Sequence, residues 1–262
     1  LRESGALDHA VTPLDVTHYA DLFVAERERG GPGLPRTRRA LISASVTRRL
    51  AEHGVSPSRS RLRPDEALRG ARILSFALTM AQQRDIAIPG GGGSGLEAAA
   101  VLASAERPWH VDQVRELLST ALFAHAAQGL VRPYRPEVVA MLAAEHVNEL
   151  ISGGLSTHRV IEDFIVESFD RSVVGRTHGP MLAWLASMRP TILRRLMDVA
   201  PELLIEDGDP RALALEDKLD ALRRYVATAD GLPADFYLAR ENLPRFADAS
   251  LEAGVVEQLA TA

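Results

Sequence analysis

The stretch PEVVAMLAAEHVNELISGG at residues 136–154 shows most directly how this chain folds. Pro136 stands where a helix can begin, because a proline at the first helical position gives up no intrahelical hydrogen bond. Gly153-Gly154 marks the end of the element. Between them, apolar side chains recur every three or four positions, the spacing of one helix face: Val138, Val139, Leu142, Val147 and Leu150. The stretch therefore predicts one amphipathic helix.

The same punctuation recurs on both sides of this helix. Another helix is predicted to begin at Pro64 and to present Ile73, Phe76, Ala77 and Met80 as its apolar stripe. A further one is predicted from Pro108 to Gly129, with Val114, Leu117, Leu118, Ala121, Leu122 and His125 along it. Sustained alternation of apolar and polar residues, which indicates strands, is missing. We therefore predict an all-α fold, a multi-helix bundle of about ten short-to-medium helices with short Pro/Gly-rich connections.

One segment differs in composition from the rest of the chain. Residues 90–97 read Gly-Gly-Gly-Gly-Ser-Gly-Leu-Glu, and Gly/Ser tracts behave as flexible tethers. We predict that residues 89–97 are a flexible linker without fold information, either an engineered join or a natural mobile loop. The linker would separate a basic N-terminal helical part, residues 10–88, from an acidic C-terminal helical bundle, residues 98–262.

Composition limits the chemistry that this chain can perform. Of its 262 residues, 46% are hydrophobic and 25% are charged, which is typical of a globular protein. Cysteine is absent, which excludes disulfides, thiolate metal sites and cysteine nucleophiles. It also fits a reducing compartment, so we expect a soluble, cytoplasmic protein. No apolar run is long enough to span a membrane, and we predict no cofactor.

Positive charge is concentrated in the N-terminal part. Twelve Arg stand against five acidic residues between positions 26 and 72, a net charge of +7 in a chain whose total is −5. One interpretation is a surface that binds phosphates of a nucleic acid, because the guanidinium donates paired hydrogen bonds. Its candidate residues are Arg36, Arg38, Arg39, Arg48, Arg49, Arg59, Arg61 and Arg63. The alternatives are docking against the acidic part or a partner protein, and a merely solvated face.

Histidine and carboxylate spacing does not predict a metal site. The Glu-x-x-His pairs of metal-binding bundles do not occur. His158 and Glu162 lie one helical turn apart and predict a simple side-chain contact. His125 and His146 stand beside apolar stripes and are interpreted as histidines at the edge of the core.

The most site-like segment is Val174-Gly175-Arg176-Thr177-His178-Gly179-Pro180. It groups Arg176, Thr177 and His178 before a helix start, where free N–H groups favour anions. The segment resembles a short motif of the fumarase and adenylosuccinate lyase superfamily, which implies a helical fold and a histidine that binds substrate or transfers a proton. Pro180 replaces the glutamine of that motif, and the signature loop of the family with its lysine is missing. The competing interpretation is a turn between helices.

These patterns rank three functions. We first expect a helical protein-interaction module, a scaffold or regulatory protein without intrinsic catalysis, that binds another protein or copies of itself. The alternative is a nucleic-acid-associated protein that uses the region from Arg36 to Arg63. The second alternative is a helical enzyme with a catalytic site around Arg176 and His178. Trp109 and Trp184 are anchors either of the core or of an interface.

Overall fold

The computed structural model describes residues 13–28, 37–51, 62–105, 107–168, 171–228, 246 and 251. In chain order its elements are α1 (Pro13–Glu28), α2 (Arg38–Ala51), α3 (Pro64–Ala81), β1 (Ile86–Ala87), β2 (Leu96–Glu97), α4 (Ala98–Ala103), α5 (Val111–Leu118), β3 (Phe123–Ala127), β4 (Leu130–Pro133), α6 (Pro136–Ser152), α7 (Thr157–Phe164), β5 (Ile165–Ser168), β6 (Arg171–Val174), α8 (Gly179–Ala186), α9 (Pro190–Val199), α10 (Glu202–Glu206) and α11 (Leu215–Thr228). No helix of this described part is long and apolar enough to cross a bilayer.

The chain forms two compact units. Unit 1 contains Leu1–Leu41 and Leu155–Ala262, and unit 2 contains Ile42–Gly154. The boundary at residue 42 falls within α2, and the predicted division at residues 89–97 falls inside unit 2. The units therefore follow other boundaries than the basic and acidic parts expected from composition.

The two longest helices of unit 2, α3 and α6, pack against each other. Both begin with a proline as predicted, and α6 ends at Ser152 with Gly153 as its C-cap. At the start of α3 the Glu66 side chain accepts a hydrogen bond from the Arg63 N–H at 3.2 Å, which satisfies a free donor of the first turn. The buried face of α3 carries Ala67, Ala71, Leu74 and Leu78, so the predicted stripe through Ile73 and Met80 was wrong by one position along the helix.

The described part of the chain is mostly helical, as predicted, but short strands mean that it is not strictly all-α. Helices account for 64% of the described residues and strands for 11%. In unit 2 the strands form a sheet of order β2-β1-β4-β3, in which β1 and β2 are parallel and the other pairs antiparallel. In unit 1, β5 and β6 form an antiparallel pair. Helix α5 therefore ends at Leu118, whereas the sequence pattern had predicted a helix up to Gly129.

The Gly-rich segment is packed into unit 2. The Ile88 N–H donates to the carbonyl oxygen of Gly129 at 2.9 Å, and the Leu96 N–H to that of Asp85 at 2.9 Å. A Cβ atom at Gly91 would lie 2.8 Å from the Cα of Gly129, so the two backbones approach more closely than any side chain allows. Residues 89–97 thus contact the turn at Gly129 and include β2, while their role as a linker stays a prediction.

Unit 1 is built around α8, α9, α10 and α11, which contact one another. Helix α8 is buried on all sides from Met181 to Ala186, as expected of a helix without a polar face. Trp184 lies within it and is almost completely buried, so it is a core residue. Trp109 in unit 2 is half-buried. Its ring packs against Gly70, where a Cβ atom would lie 2.5 Å from the Cη2 atom of the ring.

Candidate functional site

The predicted phosphate-binding arginines are divided between the two units. Arg36, Arg59 and Arg61 lie outside the described residues. Arg38 and Arg39 begin α2 within unit 1, whereas Arg48, Arg49 and Arg63 belong to unit 2. Each described guanidinium must therefore be judged by its own surroundings.

Arg38 is buried and bound within unit 1. Arg38 is only 8% exposed, although arginine is normally found at the protein surface. The Nη1 group donates a hydrogen bond to the carbonyl oxygen of Gly208 at 3.0 Å, and Cζ lies 5.4 Å from the centroid of the Trp184 ring. The N–H groups of Arg38 and Arg39 both donate to the Asp209 carboxylate, at 3.2 and 2.9 Å. Arg38 is thus a structural residue of unit 1.

The corresponding arginines of unit 2 also contact their own chain. The Arg49 guanidinium stacks on the ring of Tyr134, with Cζ 3.9 Å from the ring centroid, and donates to the carbonyl oxygen of Ala121 at 3.2 Å. Arg63 is exposed and pairs with Glu66 at 3.3 Å. The hydrogen bond from the Arg63 N–H, together with its guanidinium, lowers the pKa of Glu66. Arg48 is half-buried on α2.

A buried ion pair uses a further arginine of the basic region. Arg72 on α3 donates through Nε to the Oε2 atom of Glu145 on α6 at 2.9 Å, and its Nη2 atom lies 2.8 Å from the same oxygen. Glu149, one turn further along, accepts from Nη1. Unit 2 as a whole carries twelve Arg and eleven acidic residues. Arginines and acidic residues are thus nearly balanced in unit 2. The phosphate-binding role of the arginines stays a prediction.

Arg176, Thr177 and His178 lie at the turn before α8, and their side chains have different surroundings. The His178 ring packs against Phe164, with centroids 5.2 Å apart, while Arg176 and Thr177 are exposed. Burial lowers the pKa of His178, and its Nε2 atom is buried without a hydrogen-bond partner. No hydrogen bond joins the three side chains in the part of the chain that the structure describes. Their role in a reaction stays a prediction.

The other histidines lie in separate places. His146 packs against Phe76 at the edge of the core, and burial, with a smaller contribution from Arg72, lowers its pKa. His125 is exposed on β3, so its assignment to a helix was wrong. The predicted contact between His158 and Glu162 is confirmed at 3.3 Å on the surface. Within the described ranges, no three His, Asp or Glu side chains are placed to hold a metal ion.

The sequence analysis missed a surface on unit 2. Helix α3, strand β1, the contacting helices α4 and α5, and the hairpin β3–β4 follow one another, and β1 pairs with β4. Helix α5 is thus the second of two consecutive, contacting helices, and it is followed by a two-stranded hairpin. The short strands hid it, although the Gly129 turn was a usable signal.

Helix α5 has one buried face and one exposed face. Val114, Leu117 and Leu118 are buried, whereas Val111, Asp112 and Arg115 are exposed. Arg115 pairs with Asp112 at 3.4 Å and donates to the carbonyl oxygen of Pro89 at 3.2 Å. We call Val111, Asp112, Arg115 and the adjoining exposed Gly90–Gly92 the α5 surface.

Comparison with known proteins adds no relative: no protein family, no curated protein and no solved structure matches this chain.

Proposed function

We propose that this chain is a helical protein-interaction module, a scaffold or regulatory protein, whose partner is another protein or a second copy of itself. The observation that carries this proposal is the use of Arg38, Arg49 and Arg72 in contacts within the chain. A phosphate ligand would have to break these contacts before it could bind. We therefore infer that these arginines stabilise the fold and do not bind an anionic ligand. A cytoplasmic location belongs to the same proposal.

The α5 surface is the place where we propose that the partner binds. Its exposed helix carries one acidic and one basic side chain that pair with each other, beside Val111, which is 45% exposed. Binding to DNA relies on several unpaired cations that neutralise phosphates. A protein partner, in contrast, requires an apolar contact with a polar rim. Charge on this surface therefore favours a protein.

Nucleic acid is the second candidate, because two consecutive, contacting helices, α4 and α5, followed by the hairpin β3–β4 have the element order of a helix-turn-helix with a β-hairpin wing. In such proteins the second helix enters the major groove and neighbouring side chains hold the backbone. Helix α5 has an aspartate, Asp112, in its first turn, which would face the phosphates unfavourably. The two candidates thus differ in whether binding weakens steeply with salt.

Affinity capture with the tagged full-length chain tests the proposal. Wild type, Val111→Glu and the matched control Val226→Glu would be compared in extracts of the source cells, with and without nuclease treatment. Val226 on α11 is 63% exposed. We expect one protein to be retained by wild type and by the control. Val111→Glu should lose about tenfold or more of it, because a charge would be buried at the contact.

Two outcomes would contradict this proposal. Equal retention by all three chains would show that the partner does not bind at the α5 surface. Loss of the bound material on nuclease treatment would favour nucleic acid. Light scattering on the purified chain separates the kinds of partner, since a mass that doubles with wild type and not with Val111→Glu identifies a second copy.

A further inference from the structure

Helix α2 begins with the wrong charge for its own dipole. Its first turn contains Arg38 and Arg39 and no acidic residue, although the start of a helix is its positive end and favours negative groups. The local sequence offers one cap, the Thr37 hydroxyl, which accepts from the Ala40 N–H at 3.3 Å. Among the described residues, the local support of this helix start is therefore a neutral cap without an acidic side chain in the first turn.

Asp209 supplies the missing negative charge from far along the chain. One carboxylate oxygen accepts from the Arg38 N–H and the other from the Arg39 N–H. The side chain is 2% exposed, so water competes little for these charge-assisted bonds. The Asp209 side chain thus accepts hydrogen bonds at the start of a helix that lies 170 positions earlier in the sequence, the role that an N-cap side chain normally has.

The turn that carries Asp209 is itself held in place by two contacts. The Arg38 side chain folds back to the carbonyl oxygen of Gly208 at 3.0 Å. Gly208 has a φ of +77°, and a Cβ atom there would lie 2.7 Å from the carbonyl oxygen of Ala183 on α8. Only glycine fits both the left-handed backbone and this close approach. Arg38, Trp184, Gly208 and Asp209 therefore form one interlocked group, which we call the clasp.

We propose that the clasp is a conformational device that makes the order of the first turn of α2 conditional on docking of the Gly208–Asp209 turn. When the Asp209 carboxylate leaves, two N–H donors lose their acceptor while two positive charges stay at the positive end of the helix. The first turn then unwinds, and Arg38, which is otherwise buried, becomes exposed. This inference concerns unit 1 alone and is independent of the α5 surface.

Hydrogen–deuterium exchange of the full chain tests the clasp. Asp209→Asn keeps the shape of the side chain and removes its charge, and Asp209→Ala removes both. We expect the amides of residues 38–41 to exchange at least about fivefold faster in Asp209→Ala, with Asp209→Asn between that variant and wild type. Asp198→Ala is the matched control, because Asp198 makes an exposed ion pair with Arg224, and it should leave these amides unchanged.

A compensating variant separates capping from general damage to the core. Thr37→Asp combined with Asp209→Ala, or with Asp209→Asn if the alanine variant does not fold, places a local acid at the helix start and should restore most of the lost protection. Unchanged exchange at residues 38–41 in the Asp209 variants would overturn the proposal. So would equally faster exchange throughout α8 and α9, or a failure of Thr37→Asp to restore protection.

Discussion

Gly92 and Gly129 offer a test of whether the Gly-rich segment is packed. Both have a φ of +71°, so alanine at either position meets the same backbone strain. At Gly129 a Cβ atom would overlap the carbonyl oxygen of Gly91 and lie 2.7 Å from its carbonyl carbon, whereas at Gly92 nothing lies within 4 Å. The difference between Gly129→Ala and Gly92→Ala therefore measures packing alone.

The magnitude follows from the nature of the obstacle. A left-handed alanine costs about 1–2 kcal/mol, and this cost cancels in the comparison. Forcing a methyl group into a filled space costs about 1–3 kcal/mol more. The obstacle at Gly129 is backbone that belongs to a hydrogen-bonded turn, and it cannot rotate away like a side chain. We expect Gly129→Ala to be less stable than Gly92→Ala by about 2 kcal/mol.

Urea unfolding followed by Trp109 fluorescence measures the difference. A Trp184→Phe background leaves Trp109 as the single tryptophan of the chain, so the signal reports on unit 2. The midpoints are compared at equal slope, which converts them into stability. If the two alanine variants agreed within about 0.5 kcal/mol, the segment would be a detached tether and the packing described for it would be wrong.

Two further predictions concern ionisable groups. Arg72→Met should destabilise unit 2 by about 3 kcal/mol because it leaves the buried Glu145 carboxylate without its arginine. The control Arg159→Met, at an exposed ion pair, should cost under about 0.5 kcal/mol. Urea unfolding measures both free-energy changes. Burial lowers the pKa of His146 and His178 in the folded chain. As the pH falls below about 6.5, these two histidines therefore bind protons more readily in the unfolded chain than in the folded one. Stability should be full above that pH and decrease below it, and a variant with both histidines changed to Gln should lose less between about pH 7.5 and 5.5.

Long helices could be predicted because their signals are local. The prolines at positions 64 and 136 and the apolar spacing after them are enough to define α3 and α6. The strands have two to five residues each, too short for alternation to show. Beyond the end of α5 at Leu118, Leu122 and His125 continue its helical spacing into β3, which explains why a helix was predicted there.

The surroundings of the arginines could not be predicted because their partners are distant in the sequence. Arg38 meets Asp209 across 171 positions and Arg72 meets Glu145 across 73. A sequence shows the local excess of positive charge and not the carboxylates that compensate it. Composition has the same weakness for the Gly-rich segment, because glycines that allow two backbones to touch and glycines of a flexible tether look alike.

The most direct test of the central claim is a photo-crosslinking measurement at the α5 surface. A benzophenone side chain is placed at position 111 or, as the control, at position 226, and the full chain is irradiated in extracts of its source cells. The account predicts a protein adduct from position 111, of constant mass after nuclease treatment, and none from position 226. An adduct to nucleic acid, or equal adducts from both positions, would contradict it.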